Sequence, residues 1–283
     1  MHPDSVRTAV SRRFGLQVLF DFDDIAEALR FAAAHGFGVL ELNLGNLDFS
    51  HGLADARTRR GIRSLAGQLG IRLAAHAIEG PSLFVPDRAV MRDTVRTLKR
   101  LLDRAESAGI ENVVMHLGFE MFYACRDRGH HPHEHYPEFY EQLLGDALAN
   151  LKSHAAGRAR LCIENVGGFR FGFVHRLLDR LLGGNLGLCY DVGHNAILAP
   201  AARRTEASLY ARHRGQVFHS HLHDNHGRQD EHLVPGQGTA NLRSYLRFLL
   251  TTPALLVLEV RPKEAALAGR EHLLPMLQGR RGG

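Results

Sequence analysis

Residues 186–191 read LGLCYD and residues 217–223 read VFHSHLH, two short runs rich in β-forming residues. A short run of this kind, bounded by turn residues, is typical of a strand in a parallel sheet, because such a strand is covered on both faces. The first run ends at Asp191 and the second at His223. Both runs therefore predict strands of a parallel sheet that carry polar groups at their C-terminal ends.

Similar runs recur along the chain and alternate with longer amphipathic segments. This alternation indicates parallel βα units rather than an antiparallel sheet. Several of the predicted helices end near a glycine that can terminate a helix; they cover residues 23–35, 87–108, 137–155 and 174–182. Eight strands are predicted, over residues 16–20, 39–44, 71–77, 112–117, 160–166, 186–191, 217–223 and 255–260.

The number of βα units predicts the fold. Eight units that close into a barrel form the most economical topology, although a doubly wound open sheet would give the same alternation. A barrel brings the C-terminal ends of all its strands to one face, where the catalytic residues of this fold lie. Side chains that bind metals stand at or near the ends of six successive predicted strands: His76, His116, Glu164, Asp191, His194, His221, Asp230, His232 and Glu259.

This recurrence favours the barrel over the open sheet. Carboxylates and imidazoles buried together on one face would be costly unless a cation neutralised them. We therefore predict an α/β protein, a single-domain (β/α)8 TIM barrel over residues 1–283, with a metal centre at its C-terminal face. Nitrogen and oxygen ligands without thiolates suit divalent Zn, Mn, Fe or Co and do not select among them.

The composition agrees with one globular domain. Of the 283 residues, 45% are hydrophobic and 23% are charged, and no Pro/Ser-rich linker divides the chain. The three cysteines are widely spaced and no long apolar run occurs, so we expect a cytoplasmic protein that has no membrane partner. The net charge of +5 is compatible with an anionic substrate or with nucleic acid, although the arginine clusters are typical of solvated surface.

Three motifs carry a resemblance to a known family. They are ENVGG at 164–168, YDVGHN at 190–195 and HLHDNHGRQDEHLVPGQGT at 221–239. On these motifs the chain resembles the xylose-isomerase-like barrel superfamily, which includes endonuclease IV and many sugar isomerases and epimerases. The resemblance covers nearly the whole length, from the strand at 38–43 to Glu259.

The resemblance implies two alternative metal sets. All nine strand-end residues match the positions that bind a three-metal cluster in endonuclease IV, which implies two or three divalent ions per chain. The sugar epimerases generally need a single metal, and their glutamates also serve as the catalytic acid and base. The matching residues in this chain are Glu164, Asp191, His221 and Glu259, with Glu164 and Glu259 as the catalytic pair.

Two departures from the nuclease pattern bear on function. After His76 the chain reads AIEGPSLF, which does not match the aromatic-bearing loop that the nuclease inserts beside a flipped-out nucleotide. The segment 221–230 is also shorter than in the nuclease. We therefore expect a metal-dependent isomerase or epimerase that acts on a small carbohydrate substrate rather than on nucleic acid. An endonuclease IV-like phosphoester hydrolase is the alternative, and a metal-storing barrel without activity is a third hypothesis.

Other polar residues near the predicted mouth are candidates for substrate binding. His219 and His223 share a strand face with His221, so that each is expected to support the metals or to approach them. Glu41 and Asn43 alternate inward on the second strand. We predict substrate contacts for Asn43, His223 and Asp224. The His-rich segment 129–135 is interpreted as a lid over the site, with a second metal site as the alternative.

Overall fold

A computed structural model of the chain describes residues 12–277. Eight parallel strands close into one barrel, which confirms the predicted fold. The extension of the domain over the full range 1–283 stays a prediction. The strands are β1 (Phe14–Val18), β2 (Val39–Asn43), β3 (Arg72–His76), β4 (Ile110–Met115), β5 (Arg160–Glu164), β6 (Leu186–Asp191), β7 (Val217–Leu222) and β8 (Leu255–Leu258). Around the barrel they pair in the order β1-β8-β7-β6-β5-β4-β3-β2.

Helices follow the strands and form the outer layer. The long helices agree with their predicted positions to within about two residues at each end. Short 3-10 turns occur at Gly167–Arg170 and Arg214–Gln216. Within residues 12–277 the helices are α1 (Ile25–Ala34), α2 (Leu47–Ala54), α3 (Ala56–Leu69), α4 (Arg88–Ala108), α5 (Pro132–His135), α6 (Pro137–Ala155), α7 (Gly172–Leu181), α8 (Val192–Ala196), α9 (Pro200–Arg212), α10 (Leu242–Leu249) and α11 (Lys263–Leu277).

The first strand begins and ends two residues earlier than predicted, as does β4, which was predicted over 112–117. The apolar run continues through Phe20, but the side chain of Phe20 is 76% exposed and lies in the loop after β1. Gly15 instead pairs with Val39 of β2, and a Cβ atom at Gly15 would lie 2.3 Å from the carbonyl oxygen of Val39. This close approach of the two backbones requires a glycine and fixes the register of β1.

The segment between β4 and α6, which includes the predicted lid at 129–135, contains short elements of regular secondary structure. Tyr123–Ala124 pairs antiparallel with Gly129–His130, and α5 follows directly. Strands of two residues are too short to produce an alternating pattern, so hydrophobic periodicity cannot reveal them.

The interior of the barrel changes from apolar to polar toward the C-terminal ends of the strands. Val39, Ala74, Leu255 and Val257 form an apolar cluster inside the barrel. Another cluster contains Val114 with Cys162 and Cys189, as expected for small core residues. Buried polar residues follow in the next layers, and the register places Asp191 beside His221. The C-terminal ends of the strands therefore lie at a similar height along the barrel axis, and their side chains face the same opening, the barrel mouth.

Candidate metal centre

Glu164, the last residue of β5, lies in the middle of the candidate metal centre. Its Oε2 atom is 3.0 Å from His76 Nε2 and 3.2 Å from His116 Nε2. Its Oε1 atom is 3.2 Å from His194 Nδ1 and 3.5 Å from His221 Nδ1. One buried carboxylate therefore faces four imidazoles, which come from β3, the loop after β4, α8 and β7.

Three carboxylates surround the Nδ1 atom of His221. This atom lies 2.9 Å from Glu259 Oε2, 3.5 Å from Glu164 Oε1 and 3.6 Å from Asp191 Oδ2. Glu164 and Asp191 end their strands, and Glu259 directly follows β8. The four residues that we predicted for the central metal site therefore come together at one point of the barrel mouth.

Glu41 of β2 lies behind His221, on the side away from these carboxylates. His221 Nε2 is 3.2 Å from Glu41 Oε2, and His219 Nε2 is 2.8 Å from the same oxygen. Burial disfavours the charged form of Glu41, but the two histidines outweigh burial and hold the pKa of this carboxyl well below its usual range. A carboxylate behind a metal-binding imidazole fixes the ring so that its other nitrogen faces the ion. Glu41 is thus placed to orient the ring of His221.

A second group of ligands surrounds Asp230. Its Oδ2 atom is 3.0 Å from His194 Nε2 and 3.1 Å from His232 Nε2. The ring of His223 stacks on that of His232 with 4.0 Å between centroids, and His223 Nε2 lies 3.1 Å from both oxygens of Asp191. One nitrogen or oxygen of each of His194, His223, Asp230 and His232 falls within 4.8 Å of the others. His223, for which we predicted substrate contact, therefore lies among the candidate ligands.

Asp224 points away from the mouth into the loop between β7 and α10. Its Oδ1 accepts hydrogen bonds from the backbone N–H of Asn225 at 2.9 Å and of Ala240 at 3.0 Å. Its Oδ2 accepts from Gly236 N at 2.9 Å and Gly238 N at 3.0 Å. Four backbone N–H groups occupy the carboxylate that we predicted to bind substrate. Asp224 anchors the loop that carries Asp230 and His232.

The side chain of Asn43, the other residue predicted to contact substrate, is hydrogen-bonded to other residues of the chain. Its Oδ1 accepts from Gly45 N at 2.9 Å, and its Nδ2 lies 3.3 Å from Gln17 Oε1. Arg261 also donates to Gln17 Oε1, and its Nη2 atom lies 3.5 Å from Glu259 Oε1. Sequence reasoning missed Arg261. The signal for it was present, since Arg261 follows Glu259 by two residues and so shares its side of the strand end.

Burial and charge act in opposite directions on the histidines of the centre. Burial disfavours the charged imidazolium of His76, but the hydrogen bond and the charge of Glu164 raise its pKa to about 9. Burial likewise opposes charge on His194, yet Asp191 and Asp230 raise its pKa to about 12. Burial would raise the pKa of Glu259, and the His221 charge instead lowers it to about 2. Without an ion, protons on the imidazoles balance the carboxylates, and a divalent cation would replace these protons.

The spacing of the donor atoms fits transition-metal ions. Zinc binds nitrogen and oxygen at about 2.0 to 2.2 Å in a tetrahedron, so two of its ligand atoms lie about 3.4 Å apart. His194 Nδ1 lies 3.2 Å from Glu164 Oε1 but lacks hydrogen-bond geometry to it. This nitrogen is buried and has no hydrogen-bond partner among residues 12–277. Such an orphaned donor or acceptor atom is expected where an ion binds.

Asn165 and Glu206 support the centre from outside the barrel. Asn165 Oδ1 accepts from Asp191 N at 2.8 Å, and Asn165 Nδ2 donates to Asp191 O at 2.9 Å and to Glu206 Oε1 at 2.8 Å. Asn195 Nδ2 donates to the same glutamate oxygen at 2.8 Å. Burial raises the pKa of Glu206 to about 7. Sequence reasoning missed Glu206, because it lies in the middle of helix α9.

Two curated relatives each match about half of the chain. The y4fM protein of Sinorhizobium fredii is 27% identical over 150 residues, which are 51% of this chain. The chain spans less than half of the length of the curated relatives that it matches, 44% for y4fM and 49% for MJ1614 of Methanocaldococcus jannaschii. Both of these relatives are uncharacterised.

Several solved structures share the fold. A D-tagatose 3-epimerase-like protein superposes with a TM-score of 0.76 and 18% identity, over 94% of this chain and 97% of that one. The TTHB071 protein of Thermus thermophilus, soaked with ZnCl2, superposes with a TM-score of 0.67 and 24% identity, over 95% and 99% of the two chains. The 3-keto-D-glucoside 4-epimerase YcjR of E. coli gives a TM-score of 0.70 and 16% identity, over 93% and 98%. At these identities the likeness establishes the fold alone.

The family follows from a longer match. Residues 29–276 match the family described as the xylose isomerase-like TIM barrel. This match covers most of the chain, including all nine of the strand-end residues singled out from the sequence. Together with the closed barrel, it establishes that the chain belongs to the xylose isomerase-like TIM barrel family.

Proposed function

We propose that the protein is a divalent-metal-dependent isomerase or epimerase that acts on a small sugar, sugar phosphate or related polyol. One observation carries the proposal. Two glutamates from different strands, Glu164 and Glu259, both approach the Nδ1 atom of His221, at 3.5 Å and 2.9 Å. Two carboxylates beside one ligand position can exchange protons with a substrate that binds there.

The chemistry of the residues supports proton transfer. A bound divalent ion would polarise neighbouring oxygen atoms of the substrate and so acidify the C–H bond next to a carbonyl. In the metal-free protein the charge of His221 counteracts burial and lowers the pKa values of both Glu164 and Glu259, and a divalent cation that replaced this proton would likewise keep both ionised at neutral pH. Either carboxylate is therefore ready to accept a proton from the substrate carbon. The glutamate that takes the proton can return it on the same face to the neighbouring carbon, which gives isomerisation, whereas epimerisation requires that the opposite glutamate first takes up a proton and then donates it from the other face.

The surroundings of the centre suit a small polar substrate. A cavity of about 230 Å³ borders His116, between the loops after β3 and β4 and helix α4. It is lined by residues 77–83, Thr94, Leu98, Met115, His116, Gly118 and Phe119. Pockets for drug-sized ligands measure about 300 to 1,000 Å³, so this cavity matches a smaller molecule. Arg261 lies 3.5 Å from Glu259 and is about one-third exposed, which supports a phosphate or hydroxyl contact at the mouth.

The loop after β3 supports a small substrate over duplex DNA. Ser82 Oγ donates to Phe119 O at 2.9 Å, and Leu83 N donates to Leu117 O at 2.9 Å. These bonds tie the loop to its neighbour after β4. An enzyme that acts on a flipped-out nucleotide needs a segment that enters the base stack. The cluster of arginines lies on α3, a helix of the outer layer, and none of these arginines is at the end of a strand.

One observation favours phosphoester hydrolysis as the second candidate. Both oxygens of Glu164 face imidazoles, at 3.0 to 3.5 Å, so a fully loaded multinuclear centre would use this carboxylate as a bridging ligand. Glu164 would then be a poor base. The exposed rings of Phe119 and Phe122 near the mouth also offer stacking surfaces.

A parallel assay separates the two candidates. Metal-free protein is loaded in turn with Zn²⁺, Mn²⁺, Co²⁺ and Fe²⁺ and incubated with ketoses, aldoses and their phosphates, and with duplex DNA that contains one abasic site. The proposal predicts conversion of at least one sugar, abolished in Glu164→Gln, and no incision of DNA. Metal-dependent incision without conversion of any sugar would support the hydrolase and reject the proposal.

A further inference from the structure

A second cluster of metal-binding side chains lies outside the centre, in the segment between β4 and α6. It consists of Glu120, His131 and His133, which we call the loop triad. One ligand atom of each lies within 4.8 Å of the other two. We propose that the loop triad is a separate binding site for one divalent transition-metal ion, and that this ion fastens the His-rich segment to the barrel.

The carboxylate of Glu120 is positioned for this role. Its side chain is fully buried, and its Oε1 atom accepts the backbone N–H of His133 at 2.7 Å. Its Oε2 atom faces the Nδ1 atoms of both His131 and His133. Among residues 12–277, no lysine or arginine lies within 4.0 Å of this carboxylate. A buried carboxylate requires a cation or protonated partner, and here only imidazoles face it.

His131 provides the independent sign of a missing partner. Its Nδ1 atom is buried and forms no hydrogen bond of good geometry among the described residues, although the side chain faces the backbone N–H of Glu134 in the first turn of α5. The atom lies 3.4 Å from Glu120 Oε2 without hydrogen-bond geometry. This separation equals the distance of about 3.4 Å between two ligand atoms of a tetrahedral zinc ion. A third ligand atom, His133 Nδ1, forms a hydrogen bond with the same carboxylate oxygen, so that ligand atoms of all three residues converge on one point.

Aromatic packing holds the two imidazoles in place. The ring of Phe171 lies 5.0 Å from that of His131 and 4.3 Å from that of His133, measured between centroids. Phe173 packs on His133 at 5.0 Å, and the rings of His131 and His133 stack at 5.6 Å. A ligand set that is ordered before the ion arrives loses less conformational entropy when the ion binds.

The ligand types indicate the ion and its effect. Two imidazoles with one carboxylate suit Zn²⁺, Co²⁺ or Fe²⁺ and leave a further coordination position for water. Glu120 lies four residues after His116, whereas His131 and His133 flank the start of α5. An ion bound to all three residues would join the loop after β4 to the segment before α6, and so fix the wall of the cavity beside His116.

Zinc counting on matched variants tests the proposal. Purified protein is stripped of metal, loaded with Zn²⁺ and analysed for zinc per chain and for anomalous scattering at the zinc edge. We expect a peak between Glu120, His131 and His133, and one zinc fewer per chain in His131→Ala/His133→Ala and in Glu120→Gln. The matched control, His130→Ala/His135→Ala, removes two histidines of the same segment outside the triad and should retain the wild-type count.

Other outcomes overturn the proposal. They are the absence of a peak at the triad in wild-type crystals, an unchanged count in Glu120→Gln, or a peak at Cys125, Asp127 and His130 instead. Glu120→Gln keeps the size and shape of the side chain and one acceptor oxygen for His133 N, so it gives a readout even if the double variant does not fold. The peaks at the strand ends serve as an internal control, because they are independent of the triad.

Discussion

The substitution Asp224→Asn tests how the loop between β7 and α10 positions two of the candidate ligands. Each carboxylate oxygen of Asp224 accepts two backbone N–H groups, at 2.9 to 3.0 Å. Asparagine has the same shape but replaces one of these acceptors with an NH₂ donor, so two N–H groups lose their partner. A buried donor without a partner costs about 1 to 3 kcal/mol. We expect the free energy of unfolding to fall by roughly 2 to 6 kcal/mol, from two such losses.

Thermal and urea unfolding measure this effect. For a chain of this size, a loss of about 3 kcal/mol corresponds to a decrease in Tm of roughly 10 °C. The zinc content should also fall by one ion per chain at limiting metal, because Asp230 and His232 belong to the loosened loop. Asp87→Asn is the matched control. Asp87 caps α4 at an exposed position, where asparagine is as good a cap, so its Tm should remain unchanged. A Tm within 1 °C of wild type in Asp224→Asn, about the error of such a measurement, together with full zinc content, would refute the reasoning.

Three further predictions concern the charges around the centre. Glu41→Gln removes the carboxylate behind His221, so zinc affinity should fall by about 10-fold to 100-fold. Competition with a chelating dye measures this affinity. The control Glu111→Gln, which loses an ion pair with Arg72, should leave the zinc affinity unchanged. The zinc affinity of the wild-type protein should rise with pH, since His76 and His232 have pKa values of about 9 and must release protons when zinc binds. Titration calorimetry in two buffers of different ionisation enthalpy measures this proton release, and its absence would contradict the prediction. Burial raises the pKa of Glu206 from 4.5 to about 7, so the folded protein retains a proton that the unfolded chain releases, and stability falls as pH rises through this window. Glu206→Gln stays neutral and should gain up to about 3 kcal/mol relative to wild type between pH 5 and 8; a pH-independent difference in urea denaturation would count against it.

Local pattern was sufficient to predict the barrel strands. The run at 186–191 is apolar, lies between turn residues and a polar end, and the strand has those bounds in the structure. At β1 the apolar run extends past the strand to the exposed Phe20, and the prediction was displaced by two residues. Hydrophobic periodicity shows which face of a segment is buried, but the residues at which a strand begins and ends depend on its pairing with the neighbouring strands.

The contacts between side chains could be predicted less well from the sequence. Alternation along β2 and β7 correctly indicated that Glu41 and His219 point inward, but their contact joins residues 178 positions apart. Only closure of the barrel brings them together. Asp224 has the polarity expected of a substrate ligand, and nothing in the local sequence reveals that four backbone N–H groups of its own loop bind it.

Among residues 12–277, none of the helices is long and apolar enough to cross a membrane. The metal identity, the number of ions and the cytoplasmic location that we expect from the sequence stay predictions.

Exchange of substrate hydrogen with solvent tests the proposed function most directly. The metal-loaded protein is incubated in D₂O with each sugar that it converts, and NMR follows the carbon next to the carbonyl. The proposal predicts that deuterium enters this carbon, and that Glu164→Gln and Glu259→Gln each slow the incorporation by at least about 100-fold, as expected for loss of a general base. Conversion of a sugar without deuterium at that carbon, or unchanged exchange in both variants, would contradict a mechanism in which these two glutamates transfer the proton.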